Sequence, residues 1–348
     1  MNIRKTIAAI CAAVLVLALL TPAMAEEPSE AAMAYTEPQY KWDFFYYAND
    51  TKDMRKTAVE QQGTVETLEY EAPAYQHSEL LGVDETITKS LNVYLPYGYD
   101  ESQQYNVVYL MHGGGETYRF WLGEGEGCHG EGTCDVLDYM IMNGICDPVI
   151  VVTPTFYSNV DGMEIPAATA RAFGEELGDE FLNTEDMLYT WFFQYELRND
   201  IIPLIESKYS TYAKGDTSVE NLIATRDHRA YAGLSMGSIT SFHSIMMGNT
   251  DIIGYVGSYS GCKSDLDLFR DFQENTFGEY PILFWYNGNG LLDQALNEHV
   301  EAYNFATTEM ADRFVDGENS VMVVMPDGKH GWTAWVTDLY NSLLVFFK

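Results

Sequence analysis

The sequence places Ser235 in a setting typical of a catalytic nucleophile. It lies in Gly233-Leu-Ser-Met-Gly237, after a short strand predicted over Arg229–Ala232 and before a helix-like stretch from Ser238 to Met247. Glycines on both sides permit a tight strand–turn–helix, the nucleophile elbow, from which the hydroxyl projects at the sheet edge. The five-residue pattern alone is weak, but this setting strengthens it. It predicts covalent acyl transfer.

A serine nucleophile needs a base, and in this elbow fold the chain order is serine, acid, histidine. Three of the seven histidines follow Ser235, namely His243, His299 and His330. His243 lies two turns along the helix that leaves the elbow, and His299 lies in an acidic, helix-like stretch. His330 follows an apolar strand in the loop Pro326–Trp332, before a final helix-like segment. We therefore expect His330 to be the base.

The acid that orients the histidine is harder to select, because carboxylates are abundant in this chain. Asp293 comes after an apolar strand and a glycine-rich turn, Asn287–Gly290. A carboxylate just past the carboxyl end of a strand can reach the histidine loop. Asp265 and Asp267 follow an earlier candidate strand and are the alternatives, whereas Asp327 is so near the histidine that we expect it to shape the turn. The prediction for the acid is Asp293.

Acyl transfer also needs hydrogen-bond donors for the oxyanion. The run His112-Gly-Gly-Gly-Glu116 directly follows a predicted strand, and its glycines let backbone N–H groups approach a substrate. The expected donors are the N–H group of Met236 and one N–H group from the glycine run, with Gly114 ahead of its neighbours. A phosphate-binding loop is a poor alternative, because no Lys-Ser/Thr pair follows the glycines. His112 precedes the loop, and we expect it to be structural.

The elements that must position these residues form an α/β pattern. Two alternating segments, Thr64–Tyr70 and Ile87–Leu95, predict half-buried strands at an antiparallel edge. Fully apolar runs, typical of strands buried on both faces of a parallel sheet, follow at Val107–Met111, Val149–Val152, Tyr231–Ala232, Ile282–Tyr286 and Val321–Met325. Helix-like stretches separate them, which favours a mainly parallel sheet with helices on both faces.

One of these helices has a clear apolar face and an internal proline. The residues that share the face are Phe193, Leu197, Ile201, Leu204 and Ile205. Their spacing predicts a helix packed on the core. Pro203 predicts a kink in it, because proline lacks the N–H that the helix needs.

The first 25 residues have the layout of a secretory signal peptide. Arg4 and Lys5 precede an uncharged apolar run from Thr6 to Leu20, and an Ala-x-Ala signal ends at Ala25. The run is short for a membrane span. We therefore expect cleavage, export from the cytoplasm and no membrane attachment afterwards. Residues 26–62 form an acidic leader that either packs on the following domain, 63–348, or hangs loose.

Export makes a disulfide between Cys128 and Cys134 possible. These cysteines bracket a short glycine-rich loop, and the alternative is two free thiols. Their spacing does not suit a four-ligand zinc site. The acidic stretch 123–134 lacks the EF-hand calcium pattern, so we predict no metal.

Charge excludes several classes of partner. The 348 residues include 52 Asp and Glu against 19 Lys and Arg, a formal net charge of −33. Such a chain repels the phosphates of nucleic acids and anionic lipids. It is not disordered, since 47% of its residues are hydrophobic and 14% aromatic. The acidity therefore predicts a strongly solvated surface on a packed protein.

The motifs together resemble those of the esterase-D-like α/β-hydrolases, in the branch of bacterial feruloyl and acetyl-xylan esterases. The segments that carry the resemblance are His112–Gly115, Gly233–Gly237, Gly290–Asp293 and Gly328–Trp332. The likeness covers roughly residues 63–348. It implies a Ser-Asp-His esterase without a cofactor, in which Ser235, Asp293 and His330 are catalytic. It also implies that Gly114 and Met236 form the oxyanion hole.

This resemblance implies plant cell-wall polysaccharide esters or small aryl esters as substrates, with feruloyl esters ahead of acetyl esters. Alternatives are an acetyl-xylan esterase, a siderophore esterase or an acyltransferase of the same fold. An inactive carbohydrate-binding protein is an alternative of another class. Trp121 follows the glycine loop, and Trp332 and Trp335 flank His330, so these side chains are predicted substrate contacts, with core or rim packing as the alternative. The insertion 157–189 is expected to roof the site.

Overall fold

The computed structural model describes residues 26–57, 59–123 and 132–348. The predicted signal peptide, residues 1–25, lies outside these ranges. So does Cys128, one half of the disulfide that export makes possible. In the part of the chain that the structure describes, no helix is both long and apolar enough to cross a membrane.

A single eight-stranded sheet organises the described residues. Its strands are β1 (Thr64–Pro73), β2 (Thr86–Leu95), β3 (Asn106–Met111), β4 (Val149–Thr153), β5 (Arg229–Leu234), β6 (Tyr255–Tyr259), β7 (Phe284–Leu292) and β8 (Ser320–Lys329). Their spatial order is β1-β2-β4-β3-β5-β6-β7-β8. β2 pairs antiparallel with β1 and β4, and the remaining pairs are parallel. This is the predicted α/β-hydrolase arrangement, with an antiparallel edge at its N-terminal strands.

Helices cover both faces of the sheet. They are α1 (Glu30–Met33), α2 (Tyr75–Leu81), α3 (Arg119–Leu122), α4 (Thr133–Met142), α5 (Ala167–Leu177), α6 (Glu185–Glu196), α7 (Ile202–Lys208), α8 (Val219–Ala224), α9 (Met236–Thr240), α10 (Leu266–Asp271), α11 (Leu296–Glu309) and α12 (Trp332–Leu343). The loop-rich insertion predicted at 157–189 therefore contains a regular helix, α5.

The continuous apolar runs of the central strands follow from burial on two sides. In β3, Val107, Tyr109 and Met111 belong to one hydrophobic cluster, whereas Val108 and Leu110 belong to the cluster on the opposite face. Successive side chains of a strand point to opposite faces. Apolar residues therefore follow one another along such a strand, which hides the alternation seen in β1.

The strand β7 differs from the prediction, because it continues through the glycine-rich segment 287–290. Gly288 pairs with Val323 in β8, and Gly290 pairs with Met325. A Cβ atom at Gly288 would lie 1.8 Å from the Asp338 carboxylate, and one at Gly290 would lie 2.3 Å from the backbone of Gly328. These glycines permit close packing rather than a turn, so the predicted turn is wrong.

The predicted kinked helix is divided at a wide turn. α6 ends at Glu196, a π-helical turn spans Leu197–Ile201, and α7 begins at Ile202 with Pro203 in its first turn. Pro203 has no N–H to donate, so the helical hydrogen-bond pattern is interrupted at this point. The irregularity expected from Pro203 is present, one turn before it.

Residues 26–57 pack against the domain. Ala32 is fully buried in the main hydrophobic cluster. The carbonyl of Tyr35 accepts the N–H of Val324, and β8 is the last strand of the sheet. The sequence left open whether this leader packs on the domain or hangs loose, and in the structure it is packed.

Candidate active site

The elbow predicted around Ser235 is present. β5 ends at Leu234, α9 begins at Met236, and Ser235 between them has φ 52° and ψ −117°. A non-glycine residue at positive φ is strained and persists only where its surroundings hold it. The neighbouring glycines allow the close packing, since a Cβ at Gly233 would lie 2.6 Å from the carbonyl of Gly237.

Ser235, His330 and Asp293 lie in one hydrogen-bonded row. His330 Nε2 is 3.1 Å from Ser235 Oγ, and His330 Nδ1 is 2.9 Å from Asp293 Oδ1. The three residues follow β5, β8 and β7, whose carboxyl ends meet at one edge of the sheet. Parallel strands bring such side chains together although up to 95 residues separate them.

Asp293 keeps its negative charge despite its burial. Burial raises the pKa of this carboxyl, but the hydrogen bond and the charge of His330 outweigh that effect and hold the pKa below its ordinary value. The Ala295 N–H also donates to Oδ1 at 2.8 Å. An ionised acceptor on Nδ1 selects the tautomer in which Nε2 can take a proton from Ser235.

The alternative acids lie elsewhere. Asp265 caps α10 by accepting the N–H of Leu268. Asp267 pairs with Arg270 at the surface. Asp327 accepts the N–H of Ala48 at 2.7 Å, so it anchors the turn before the histidine.

The other two downstream histidines are buried away from the row. His243 bonds to Asp179 and Thr190. His299 lies against Asn287 and Asn289, and burial lowers its pKa to about 4. Both imidazoles are fully buried and engaged in the core.

The glycine loop offers one N–H for an oxyanion. The Gly113 N–H donates to Glu116 Oε2 at 2.8 Å, and the Gly115 N–H donates to the Tyr157 hydroxyl at 2.7 Å. Among the hydrogen bonds of the described residues, none uses the N–H of Gly114. A Cβ at Gly114 would lie 2.8 Å from Met236 Sδ, so the loop lies against the start of α9. Met236 is the first residue of α9, and no side chain caps that end.

His112 is structural, as its position before the loop indicated. Its Nδ1–H donates to the carbonyl of Gly113 at 2.7 Å, which leaves Nε2 to accept from the Thr155 hydroxyl at 2.8 Å. Burial lowers the pKa of His112 to about 4, so the ring is neutral. It also stacks on Tyr157 and thereby stiffens the loop.

Glu116 is a site residue to which the sequence assigned no role. Burial raises the pKa of its carboxyl to about 7, partly offset by the Gly113 N–H and by the charge of His330. The available signal was a carboxylate at the end of a glycine run, where backbone N–H groups need an acceptor. That signal is weak in a chain with 52 acidic residues.

The three tryptophans have different surroundings. Trp121 is fully buried and its Nε1–H donates to the carbonyl of Met111, so its prediction as a substrate contact is wrong. Trp335 is 7% exposed, and its ring lies edge-on to His330 with centroids 5.2 Å apart. It supports the imidazole. Trp332 is half-buried against Phe120 and stays a predicted contact.

Among the described residues, no group of three or more His, Cys, Asp or Glu side chains is arranged to hold a metal ion. The hydrogen-bonded row and the glycine loop can supply a nucleophile, a base and oxyanion donors.

The chain is similar in sequence to two curated relatives. The chain is 32% identical over 271 residues to endo-1,4-beta-xylanase Y of Acetivibrio thermocellus, a match covering 75% of this chain and 22% of that protein. It is 30% identical over 179 residues to an endo-1,4-beta-xylanase/feruloyl esterase of Xylanibacter ruminicola, covering 50% and 19%. The chain therefore spans about a fifth of the length of these curated relatives.

A solved structure extends the comparison to the fold. The feruloyl esterase module from Clostridium thermocellum, complexed with sinapinate, superposes with a TM-score of 0.66 at 26% identity, over 89% of this chain and 96% of that one. The model of the Esterase family matches residues 88–346, which include the elbow, the histidine loop and the glycine loop. The chain therefore belongs to the Esterase family and has the α/β-hydrolase fold.

Proposed function

We propose that this protein is a secreted serine carboxylic ester hydrolase that releases ferulate or a related hydroxycinnamate from plant cell-wall polysaccharide. The observation that carries the proposal is the position of His330 between the Ser235 hydroxyl and the Asp293 carboxylate. Nucleophile, base and orienting acid within hydrogen-bond reach are the requirement for acyl transfer through a serine.

In the first half of the reaction Ser235 Oγ attacks the ester carbonyl while His330 Nε2 takes the hydroxyl proton. Asp293 stabilises the resulting imidazolium through Nδ1–H. The negative charge that develops on the carbonyl oxygen is met by the N–H groups of Gly114 and Met236. His330 then gives the proton to the leaving sugar oxygen, and the acyl group stays on Ser235.

The second half repeats these steps with water. His330 takes a proton from water, and the hydroxide attacks the acyl carbonyl in the same oxyanion hole. Collapse of the intermediate breaks the bond to Oγ, and His330 returns the proton to Ser235. The products are the free acid and the regenerated enzyme, and His330 passes on each proton that it takes.

The substrate class is supported by the relatives. The name of the X. ruminicola relative joins xylanase and feruloyl esterase activities. The C. thermocellum feruloyl esterase module holds sinapinate, a hydroxycinnamate. The acidic surface suits a neutral polysaccharide better than a phosphorylated or acidic polymer. We infer the same ester class for this chain, ahead of acetyl esters.

Secretion is proposed on the layout of residues 1–25. With the signal peptide removed, we propose that residues 26–62 and 63–348 act as one catalytic unit outside the cytoplasm. N-terminal sequencing of the protein in the culture medium tests this, and a sequence that begins at Met1 would contradict it.

One substrate panel tests the activity. Native protein and Ser235→Ala are compared on methyl ferulate, feruloylated arabinoxylan, acetylated xylan and a siderophore ester, with ferulate and acetate measured by chromatography. We expect ferulate release by the native protein only. Release of acetate without ferulate would move the proposal to an acetyl-xylan esterase, and no turnover of any ester would favour the sugar-binding class.

A further inference from the structure

The N-terminal segment 26–57 runs along the two elements that flank His330. Tyr35 pairs with the β8 backbone at Val324. Tyr40 donates its hydroxyl to Asp316 and accepts the N–H of Met322, farther down the same edge. The segment then crosses to α12, where Asn341 bonds both backbone groups of Phe45. It therefore bridges the strand before the histidine and the helix after it.

At Ala48 the segment reaches the histidine loop itself. The Ala48 N–H donates to Asp327 Oδ1 at 2.7 Å, three residues before His330. The Ala48 side chain forms a small buried cluster with Met325, five residues before His330, and Ala334, four residues after it. One residue of the segment thus touches both sides of the turn that carries the imidazole.

The opposite side of this turn is held by backbone packing. A Cβ at Gly290 would lie 2.3 Å from the backbone of Gly328, so β7 and the loop are in direct contact there. The turn is therefore fixed between β7 on one side and the N-terminal segment on the other. The contact to Ala48 depends on a side chain of the loop, that of Asp327.

We propose that Asp327 is a positioning residue for His330, and that the N-terminal segment, through Ala48, is its partner. The inference rests on the proposed function, because it concerns the reach of His330 to Ser235. Their atoms are 3.1 Å apart, and a misplacement of about 1 Å in such a pair can cost roughly a hundredfold in rate. Asp327 touches no reacting atom in this account.

The test separates the hydrogen bond of Asp327 from its charge. Asp327→Asn keeps an oxygen that can accept the Ala48 N–H but removes the charge, whereas Asp327→Ala removes both. On methyl ferulate we expect Asp327→Ala to lower kcat about tenfold with KM within about twofold. Asp327→Asn is expected to keep kcat within about twofold of the native value.

A matched control comes from the same segment. Tyr40→Phe removes the hydrogen bonds to Asp316 and to the β8 backbone at Met322, away from the histidine loop. We expect it to lower the melting temperature at least as much as Asp327→Ala but to leave kcat unchanged. If Asp327→Ala does not fold, Asp327→Glu, which displaces the carboxylate by one methylene, is expected to show the loss of kcat instead.

Native kcat in folded Asp327→Ala would overturn the inference. So would an equal loss of kcat in Tyr40→Phe and Asp327→Ala, since that would reflect general destabilisation. An equal loss in Asp327→Asn and Asp327→Ala would assign the effect to charge rather than position, and would also overturn it. These outcomes are distinct from failure of the proposed function, which Ser235→Ala reports.

Discussion

The Glu116 carboxylate accepts the backbone N–H of Gly113 at 2.8 Å. With the Tyr157 hydroxyl on the N–H of Gly115, this bond fixes the glycine loop on both sides of Gly114. The N–H proposed for the oxyanion is therefore held by its two neighbours rather than by a partner of its own. Such preorganised donors are worth most when they need not move during the reaction.

The first prediction concerns the hydrogen bond from the Gly113 N–H to the Glu116 carboxylate. Glu116→Ala leaves the Gly113 N–H without its acceptor and loosens the loop, so we expect kcat to fall about 10- to 100-fold, by analogy with loss of an oxyanion donor. Glu116→Gln keeps an acceptor oxygen and is expected to stay within about threefold of native. Steady-state kinetics on methyl ferulate measures both. Native kcat in Glu116→Ala would show that the bond between Gly113 and Glu116 does not support the oxyanion donor.

The second prediction tests whether Asp293 is the carboxylate that orients His330. Asp293→Asn removes the charge that selects the His330 tautomer, so kcat is expected to fall about a thousandfold or more. Asp265→Asn serves as the control, because Asp265 caps α10 and lies outside the row; its kcat should be native. The same ester assay measures both variants, and the reverse ranking would contradict the choice of Asp293.

The third prediction concerns a buried hydrogen bond between a carboxylate and a histidine. Asp179 Oδ2 lies 3.1 Å from His243 Nε2, and both side chains are fully buried. Burial raises the pKa of Asp179, but His243 outweighs it and the pKa lies below its ordinary value. Because Asp179→Ala leaves the buried His243 imidazole without its carboxylate partner, we expect the free energy of unfolding to fall by about 1–3 kcal/mol.

Urea denaturation measures this loss, with Asp267→Ala as the control. The Asp267 pair with Arg270 lies at the surface, so its removal should change stability by less than about 1 kcal/mol. The depressed pKa of Asp179 also means that its contribution is present near neutral pH and is lost as the solution is acidified through that pKa. Equal stability of the two variants would contradict the account of the pair.

The fourth prediction concerns Asp338, a fully buried carboxyl that accepts the Tyr286 hydroxyl. Burial raises its pKa well above the ordinary value, with a further increase from Asp293 that the Tyr286 bond only partly offsets. The folded protein therefore keeps Asp338 protonated at pH values at which the unfolded chain ionises it. As the pH rises from the unfolded to the folded pKa of Asp338, the free energy of unfolding falls by about 1.4 kcal/mol per pH unit.

Asp338→Asn has nearly the same shape and does not titrate, which matters because Gly288 packs directly on this carboxyl. We expect the variant to be more stable than native protein at pH 7 and nearly equal to it near pH 4. Melting temperatures across this range give the difference. A constant difference, or a lower stability of the variant at pH 7, would contradict a neutral Asp338.

The sequence predicted the parts of the site that depend on local patterns. Ser235 and His330 stand out because an elbow needs glycines around it and a histidine loop must follow a late strand. The parallel sheet was predictable because central strands buried on two faces must be apolar throughout. The chain order of serine, acid and histidine then limited the candidates.

The features that the sequence did not predict depend on contacts between distant residues. The glycines of β7 signal a turn locally, but they pack against Asp338 and Gly328. Trp121 follows the glycine loop in sequence, yet its side chain enters the core. The bond from Ala48 to Asp327 joins residues 279 positions apart, and no local pattern marks it.

The proposal that Ser235 is the nucleophile of a feruloyl esterase can be tested in a single comparison. The rate of ferulate release from feruloylated arabinoxylan is measured for native protein and for Ser235→Ala at equal concentration, with circular dichroism to show that both are folded. We expect steady release by the native protein and a rate at least about a thousandfold lower for Ser235→Ala. Ferulate release by folded Ser235→Ala at the native rate would show that another group is the nucleophile.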